Sequence, residues 1–263
     1  EMTDLYDRPY QTDYRNSVWN CGILPVYRQQ LYSVYGEYKN TAREFFATVN
    51  LTHNREWYNR IYEQRIENGQ VQRVSLPLSN HGSGYTVKST LSKGFYELGL
   101  KTSFLVLLNI SKAEQISGGQ RLPYQYRLML LEPKVIWTPN RHWETSYQTD
   151  IRYGGNKIGE RTRLAPLWNV TQQVQLSYIF SPIEASLSVD HYHNDVNEDQ
   201  SVNAVFADFS VSWKSGRWQI TATATNLFDK RTYAYTRYAS LESYTSWVRI
   251  RPREFQVAIR YRL

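Results

Sequence analysis

The sequence predicts an all-β protein, an antiparallel transmembrane β-barrel of about eleven strands. Apolar and polar residues alternate with a period of two along most of the chain, as strands with one apolar and one polar face require. Several alternating segments run past about ten residues, the length that a tilted strand needs to cross a bilayer. Short turns also alternate with longer connections, which is the layout of an outer-membrane barrel.

The alternation locates each predicted strand. In the last one, apolar Phe255 and Val257 alternate with polar Glu254 and Gln256. The eleven predicted strands cover residues 31–39, 43–66, 70–93, 95–111, 122–138, 141–154, 167–181, 184–195, 201–214, 217–229 and 245–263. No linker or change of composition divides the chain. Residues 31–263 are therefore predicted to form one barrel portion, and residues 1–30 a loop or lead-in segment.

The connections between these strands fall into two classes. Short turns are predicted at residues 39–42, 93–94, 139–140, 181–182 and 214–217. Longer loops are predicted at residues 112–121, 155–166 and 230–244. The second and third strands meet at Asn68-Gly69, a type I′ hairpin signal, which predicts a tall hairpin on the long-loop side.

Tryptophans stand where a barrel wall would meet a membrane interface. Trp137 and Trp143 flank one predicted short turn, and Trp213 and Trp218 flank another, as expected for an aromatic girdle. The alternative is a soluble β-sandwich with aromatic residues at the end of its core. Strand length and the two classes of connection favour the barrel.

The composition excludes several other classes of protein. Aromatic residues make up 15 % of the chain, which argues against disorder, and the longest apolar run, residues 104–108, is too short for a membrane helix. Cys21 is the only cysteine, so no intrachain disulfide can form. The net charge of +7 is dispersed, which disfavours nucleic acid and suits outer-membrane lipid and lipopolysaccharide. No signal peptide is evident at the N-terminus.

The odd number of predicted strands bears on whether they can close into a barrel by themselves. Up-and-down bacterial barrels have an even number of strands, and an open edge in lipid costs several kcal/mol for each unpaired backbone group. Further strands are therefore expected from outside these eleven.

Two C-terminal motifs carry a family resemblance. Residues 224–233 read Ala-Thr-Asn-Leu-Phe-Asp-Lys-Arg-Thr-Tyr, and residues 251–263 combine Arg-Pro-Arg with an alternating terminal strand. Together they resemble the C-terminal signature of TonB-dependent outer-membrane receptors. The segment Asn80–Tyr85 is similar to an Asn-x-Gly segment of the same barrels, although Leu263 stands where family members usually end in an aromatic residue.

The resemblance implies a 22-stranded barrel filled by an N-terminal plug, of which this chain is the C-terminal half. It implies multi-pass insertion in the outer membrane of a Gram-negative bacterium and TonB-dependent uptake of a ferric siderophore, vitamin or oligosaccharide. The implied partners are the N-terminal barrel half and plug, on the same or a separate chain, TonB acting through the plug, and a surface lipoprotein. The alternatives are a passive or structural barrel without TonB coupling and an outer-membrane enzyme.

Candidate functional residues follow from the face and connection on which they lie. Candidate plug-facing or lumen-lining residues are Glu144, Asp150, Arg152, Glu184, Asp190, Asp208 and Arg260, with a merely solvated face as the alternative. Candidate ligand contacts on the last long loop are Tyr233, Tyr235, Arg237, Tyr238 and Tyr244, because such side chains stack and form bidentate hydrogen bonds. Their alternative role is packing within the loop.

No catalytic group is evident in the sequence. It shows no cluster of nucleophile, base and orienting group and no paired carboxylates, so we expect no enzyme activity, no cofactor and no metal site. His191 and His193 share a strand face, but they continue its apolar register and are interpreted as interfacial residues.

Overall fold

The chain forms one large β-sheet with a small hairpin. The computed structural model describes residues 7–14, 16–20, 22–67, 70–159, 162–163, 166–197, 199–239 and 242–262. The strands are β1 Tyr10–Gln11, β2 Asn16–Trp19, β3 Tyr27–Asn40, β4 Phe45–Tyr58, β5 Ile61–Glu67, β6 Gln70–Leu76, β7 Asn80–Phe95, β8 Leu100–Ser117, β9 Gln120–Asn140, β10 Trp143–Ile158, β11 Thr162–Arg163, β12 Leu167–Phe180, β13 Ile183–Asp195, β14 Ser201–Ser215, β15 Trp218–Thr225, β16 Thr232–Ala239, β17 Glu242–Arg249 and β18 Glu254–Tyr261.

Eleven of these strands form a continuous antiparallel wall in the order β3-β4-β7-β8-β9-β10-β12-β13-β14-β15-β18. The all-β prediction is confirmed, and the strands of the wall follow each other in the predicted order. The wall is not closed into a barrel. Among the described residues, β3 pairs only with β4, and β18 pairs only with β15. Within the same part of the chain, no helix has the length and apolar character that a helical membrane crossing requires.

The register gives the wall two chemically different faces. Side chains point alternately to opposite sides of a strand, so Cα partners in neighbouring strands share a face. One face, called the polar face, carries Thr48, Asn50, Lys88, Asn109, Gln148, Asp150, Gln173, Asp190, Asp208, Thr223 and Gln256. The opposite one, called the apolar face, carries Leu51, Val87, Leu108, Met129, Ile151, Val170, Val189, Ala222 and Val257.

The two ends of the wall differ as predicted. At one end, called the short-turn end, neighbouring strands are joined around Thr41–Arg43, Tyr96–Leu98 and residues 141–142, 181–182 and 216–217. At the other end, called the long end, β5 and β6, the β8–β9 turn, β11 and the β16–β17 hairpin lie between wall strands. The predicted long loop at residues 112–121 is wrong, because β8 extends to Ser117 and β9 begins at Gln120, so only residues 118–119 connect them. The predicted loop at residues 155–166 is shorter than expected, because β10 extends to Ile158.

The predicted hairpin around Asn68-Gly69 is present at the long end as the antiparallel pair β5 and β6, and its turn residues lie outside the described part of the chain. Its arms are shorter than predicted. The predicted strands 43–66 and 70–93 are each two strands, because the sequence interrupts them. Strand β4 ends just before Asn59, whose side chain binds the lead-in segment. Its Nδ2 donates to Leu24 O at 2.9 Å, and its Oδ1 accepts from the N–H of Val26 at 2.8 Å. Pro77, which has no N–H to continue a ladder, separates β6 from β7.

Because β4 and β5 are separate strands, β5 can pair with an edge of β8 that β7 leaves unpaired. The β7–β8 pairing ends at Ser83 and Lys112, so the upper edge of β8 has no partner from β7. There β5 pairs in parallel with β8 through Ile116 and Ser117. The small core lies at this long end, where Ile61, Val74 and Ile116 are almost fully buried.

The lead-in prediction for residues 1–30 is also corrected. It contains β1 and β2, and β2 pairs in parallel with β6 from Asn16 to Trp19. The first wall strand begins at Tyr27, four residues before the predicted start at residue 31.

Most of the large apolar side chains are not in this core. On the apolar face, Val257 and Ile259 of β18 are 67 % and 66 % exposed, and Leu51, Leu108 and Phe209 are also exposed. Nothing in the described part of the chain packs over them as a second layer. An exposed apolar surface of this extent is typical of a surface that contacts a membrane or another protein.

Candidate functional site

The β16–β17 hairpin lies against the polar face of the wall. It is a two-stranded sheet of its own, and β16 contacts β10, β12, β13 and β14. Asn194 Nδ2 donates to Ala234 O at 3.1 Å, and the Tyr192 and Tyr233 rings meet edge to face at 5.2 Å. Ala234 and Thr236 are completely buried as a result. The long loop predicted at residues 230–244 is therefore corrected, since this segment contains β16 and the start of β17, which lie on the polar face.

The turn at residues 226–229 fixes where the hairpin leaves the wall. Asn226 and Asp229 both have positive φ, 51° and 50°, which ends β15 at Thr225 rather than at the predicted residue 229. Asparagine and aspartate tolerate this left-handed conformation better than other non-glycine residues. Residues 245–263 are likewise not one strand, because Pro252 separates β17 from β18.

Asn226 joins the turn to both ends of the hairpin. Its side-chain Nδ2 donates to Lys230 O and Arg251 O, each at 2.8 Å, while its Oδ1 accepts from Lys230 N at 2.9 Å. Its backbone N–H donates to Asp208 Oδ1 at 2.7 Å. Asn226 is only 6 % exposed, so these are buried bonds that hold the hairpin at one angle to the wall.

Asp229 adds a second clamp on the same turn. Its carboxylate accepts from Arg231 Nη2 at 2.8 Å and from the backbone N–H of Arg253 at 3.0 Å. The hydrogen bond from Arg231, followed by that from Arg253, lowers the pKa of Asp229. The Asn-Leu-Phe-Asp motif thus has a structural role here.

A cavity of about 830 Å³ lies between the hairpin and the polar face. Its only two ionic side chains among the described lining residues, Asp150 and Arg152, form a bidentate pair with both contacts at 2.8 Å. The remaining lining residues are Tyr126, Leu128, Leu130, Gln148, Gly154, Leu167, Asn169, Thr171, Gln173, Asn194, Tyr233, Tyr235 and Thr236. The cavity is therefore rich in amide, hydroxyl and aromatic groups and has no formal net charge.

One lining residue, Asn169, has a buried polar atom available for a hydrogen bond. Asn169 Oδ1 is buried and accepts no hydrogen bond from the described residues. A buried amide oxygen without a partner is costly, so a donor from a ligand or water in the cavity would stabilise it.

A second cavity of about 530 Å³ lies under the Asn226 turn. It is more acidic, with Asp190, Asp208 and Glu254 facing one Arg251 in its lining. Tyr233 lines both cavities and so stands between them.

The seven predicted polar-face residues do share one face, but they lie in three places. Asp150 and Arg152 line the first cavity, and Asp190 and Asp208 line the second. Near the short-turn end lie the other three: Glu144, Glu184 and Arg260. There Lys214 Nζ contacts Glu184 at 2.6 Å, which makes Glu184 part of an ion pair rather than of a cavity.

The five predicted ligand contacts all lie on the hairpin. Tyr233 and Tyr235 line the first cavity. Arg237 pairs with Tyr244 and Tyr238 with Ser243 in the backbone ladder near the hairpin tip, and the side chains of these residues lie outside the described part.

Several lining residues escaped the sequence analysis. Asn194, Asn169 and Tyr126 have the same strand parity as the predicted polar row, so parity places them on the correct face. Nothing in the sequence shows that the hairpin closes over them. The role of Asn226 was also missed, because a left-handed asparagine turn continues the apparent strand pattern of β15.

The two histidines of β13 lie on the apolar face near the long end. His193 Nδ1 is 2.9 Å from Asn203 Oδ1, and His191 Nδ1 is 3.4 Å from Gln172 Oε1. No group of three or more histidine, cysteine, aspartate or glutamate side chains with metal-binding geometry occurs in the described ranges.

Comparison of the chain with known protein families, with curated proteins and with solved structures gave no significant match.

Proposed function

We propose that the chain forms part of the wall of a transmembrane β-barrel in the outer membrane of a Gram-negative bacterium, and that this barrel is a TonB-dependent nutrient transporter. The observation that carries the proposal is the exposed apolar face and its aromatic borders. Trp143 packs on Tyr178 at 4.6 Å near the short-turn end, and Tyr153 packs on Trp168 at 4.9 Å further up the same two strands.

The distance between these two aromatic pairs matches the height of the apolar band of a membrane-spanning barrel. Tyr153 is ten residues beyond Trp143 on β10, which corresponds to about 33 Å along the strand. With a strand tilt of about 40°, the height between the two aromatic pairs is about 25 Å, the height of the apolar band of outer-membrane barrels. The alternation of short turns and long connections supports the same orientation, with the long end outward.

The two free edges of the wall support a larger barrel. Strand β18 is apolar on one side, and β3 and β18 are each unpaired along one edge among the described residues. In lipid, such edges must pair with further strands. The N-terminal half of a 22-stranded barrel, together with a plug, would supply them, as the motif at residues 224–233 implies.

The first cavity is the proposed ligand site, and its chemistry favours an uncharged, hydroxyl-rich ligand. The Asp150–Arg152 pair is internally neutralised, whereas Gln148, Gln173 and Asn169 offer amide donors and acceptors. An oligosaccharide fits this lining better than a polyanionic ferric chelate, which would require uncompensated cations. The protein would then act by binding and gating and would not be a catalyst.

Two measurements test the proposal. Electrophoresis in mild detergent, with and without boiling, should show the mobility shift of a folded barrel; an unchanged band from protein that is soluble without detergent would refute membrane insertion. Binding of neutral oligosaccharides should weaken about tenfold in Tyr233→Ala, which removes an aromatic contact, and should be unchanged in Tyr147→Ala on the opposite face.

A passive pore is the second candidate, because an inward-folded hairpin would also narrow an uncoupled channel. Uptake distinguishes the two. A TonB-dependent transporter loses uptake when the proton gradient is collapsed, whereas diffusion through a pore continues.

A further inference from the structure

We propose that the apolar face carries a binding site for a lipid with a phosphomonoester headgroup, at the long end of strands β8, β9 and β10. The inference rests on the proposed membrane position of the wall and goes beyond it, because transport requires no such site. It starts from three cations at the upper border of the apolar band: Lys112, Arg127 and Lys157.

The register brings these cations together. Gln125 of β9 is the Cα partner of both Lys112 and Lys157, so the three residues form one row on the apolar face. Two strand spacings separate the lysines, about 10 Å. Arg127 lies two residues below Gln125 and is the Cα partner of Ile110, the last apolar residue of β8 before Lys112.

A cavity of about 390 Å³ marks the same place. Lys112 and Lys157 both line it, together with His81, Ser83 and Gln125. These side chains supply donors to a phosphate oxygen from several sides. The one carboxylate in the lining belongs to Glu114, and Arg121 already neutralises it at 3.0 Å.

No acidic side chain in the described part of the chain compensates these cations. Neither Lys112, Arg127 nor Lys157 forms an ion pair with any described residue, and Lys112 and Arg127 are exposed. Lys157 lies four residues beyond Tyr153 on β10, so the cation row stands about 10 Å above the aromatic border, at the height of lipid headgroups. A phosphomonoester headgroup brings a charge of about −1.5 to −2 to this height.

The surface below the cations suits the rest of the lipid. Directly beneath Lys112 and Arg127, the apolar face continues with Ile110, Leu108 and Met129, and Ile110 and Leu108 are each 40 % exposed. A phosphate held in the cation row would therefore place acyl chains along an apolar surface. An apolar surface directly below the cations is expected at a lipid site, whereas a site for a free anion does not need one.

The test is lipid retention in native mass spectrometry. The complete barrel that contains this chain and its remaining wall strands is placed in phosphatidylcholine nanodiscs doped with phosphatidic acid, and the bound phosphatidic acid is measured. Each of the variants K112Q, R127Q and K157Q should weaken retention about fivefold, and the triple variant on the order of a hundredfold. The control K134Q removes a cation from the polar face of β9 and should retain phosphatidic acid like the wild type.

Several outcomes would overturn the proposal. Retention in the triple variant equal to that of the wild type would do so, as would displacement of the lipid by millimolar inorganic phosphate, which would indicate a free-anion site. A chain that folds in nanodiscs but shows no preference for phosphatidic acid refutes the lipid site alone. A complete barrel that stays soluble without detergent and does not enter nanodiscs refutes the proposed function as well.

Discussion

Replacement of Asn226 tests whether the turn at residues 226–229 holds the hairpin in place. Asn226→Ala removes three buried side-chain hydrogen bonds, each contributing about 1 kcal/mol. It also forces a residue with a Cβ but no polar group into positive φ, at a further cost of about 1 kcal/mol. The docked hairpin should therefore lose about 4 kcal/mol of stability relative to the detached one.

Hydrogen exchange of the β16–β17 amides measures this loss. An isolated two-stranded hairpin is only marginally stable, so detachment exposes its ladder to exchange. Exchange should accelerate on the order of a thousandfold in Asn226→Ala and about a hundredfold in Asn226→Gly, which keeps the positive φ. Asn197→Ala, which removes exposed bonds in the β13–β14 connection, should leave the hairpin unchanged. Acceleration below about fivefold in Asn226→Ala would refute the role assigned to the turn.

Three further predictions concern the membrane face, the turn and the girdle. Val257→Arg on the apolar face should destabilise the folded protein in bilayers by about 2–4 kcal/mol, whereas Gln256→Arg on the polar face should not; equal costs in a urea titration would contradict the assignment of the faces. Because the folded-state pKa of Asp229 is lowered, its stabilisation is complete above its unfolded pKa and is lost as the pH falls through the folded pKa. The wild-type urea midpoint should thus fall more between about pH 5 and pH 2.5 than that of Asp229→Asn, and parallel curves would exclude this linkage. Trp143→Ala removes the ring that packs on Tyr178 and should cost about 2–3 kcal/mol in bilayers; a cost near zero would argue against an interfacial girdle.

Strand order and face assignment were predictable from the sequence because both depend on local parity. A period of two places Asp150, Asp190 and Asp208 on one face, and the turn residues between strands set the antiparallel order. The same local rule explains why all seven candidate polar residues lie on one face of the wall.

The pairing of β5, the position of the hairpin and the cavity depend on contacts between segments that are distant in sequence. Asn59 and Pro77 interrupt the strand pattern, but the pattern does not show that β5 leaves β4 to pair with β8. The hairpin lies mostly in a segment that was predicted as a long loop, and its position is decided by its contacts with Asn194 and Tyr192 of β13, which nothing in the sequence places beside it. The cavity exists only through that docking, so its full lining could not be predicted.

The separate backbone ladder of the β16–β17 hairpin has a mechanical consequence. Because β16 and β17 exchange their ladder hydrogen bonds with each other, the hairpin can swing away from the wall without breaking the pairing of any wall strand. What resists the swing is a small set of side-chain contacts, those of Asn226 at the base of the hairpin and those of Asn194 and Tyr192 on the wall. In the proposed barrel, such a swing would widen the space beside the hairpin at a cost of a few kcal/mol while every wall strand keeps its partners.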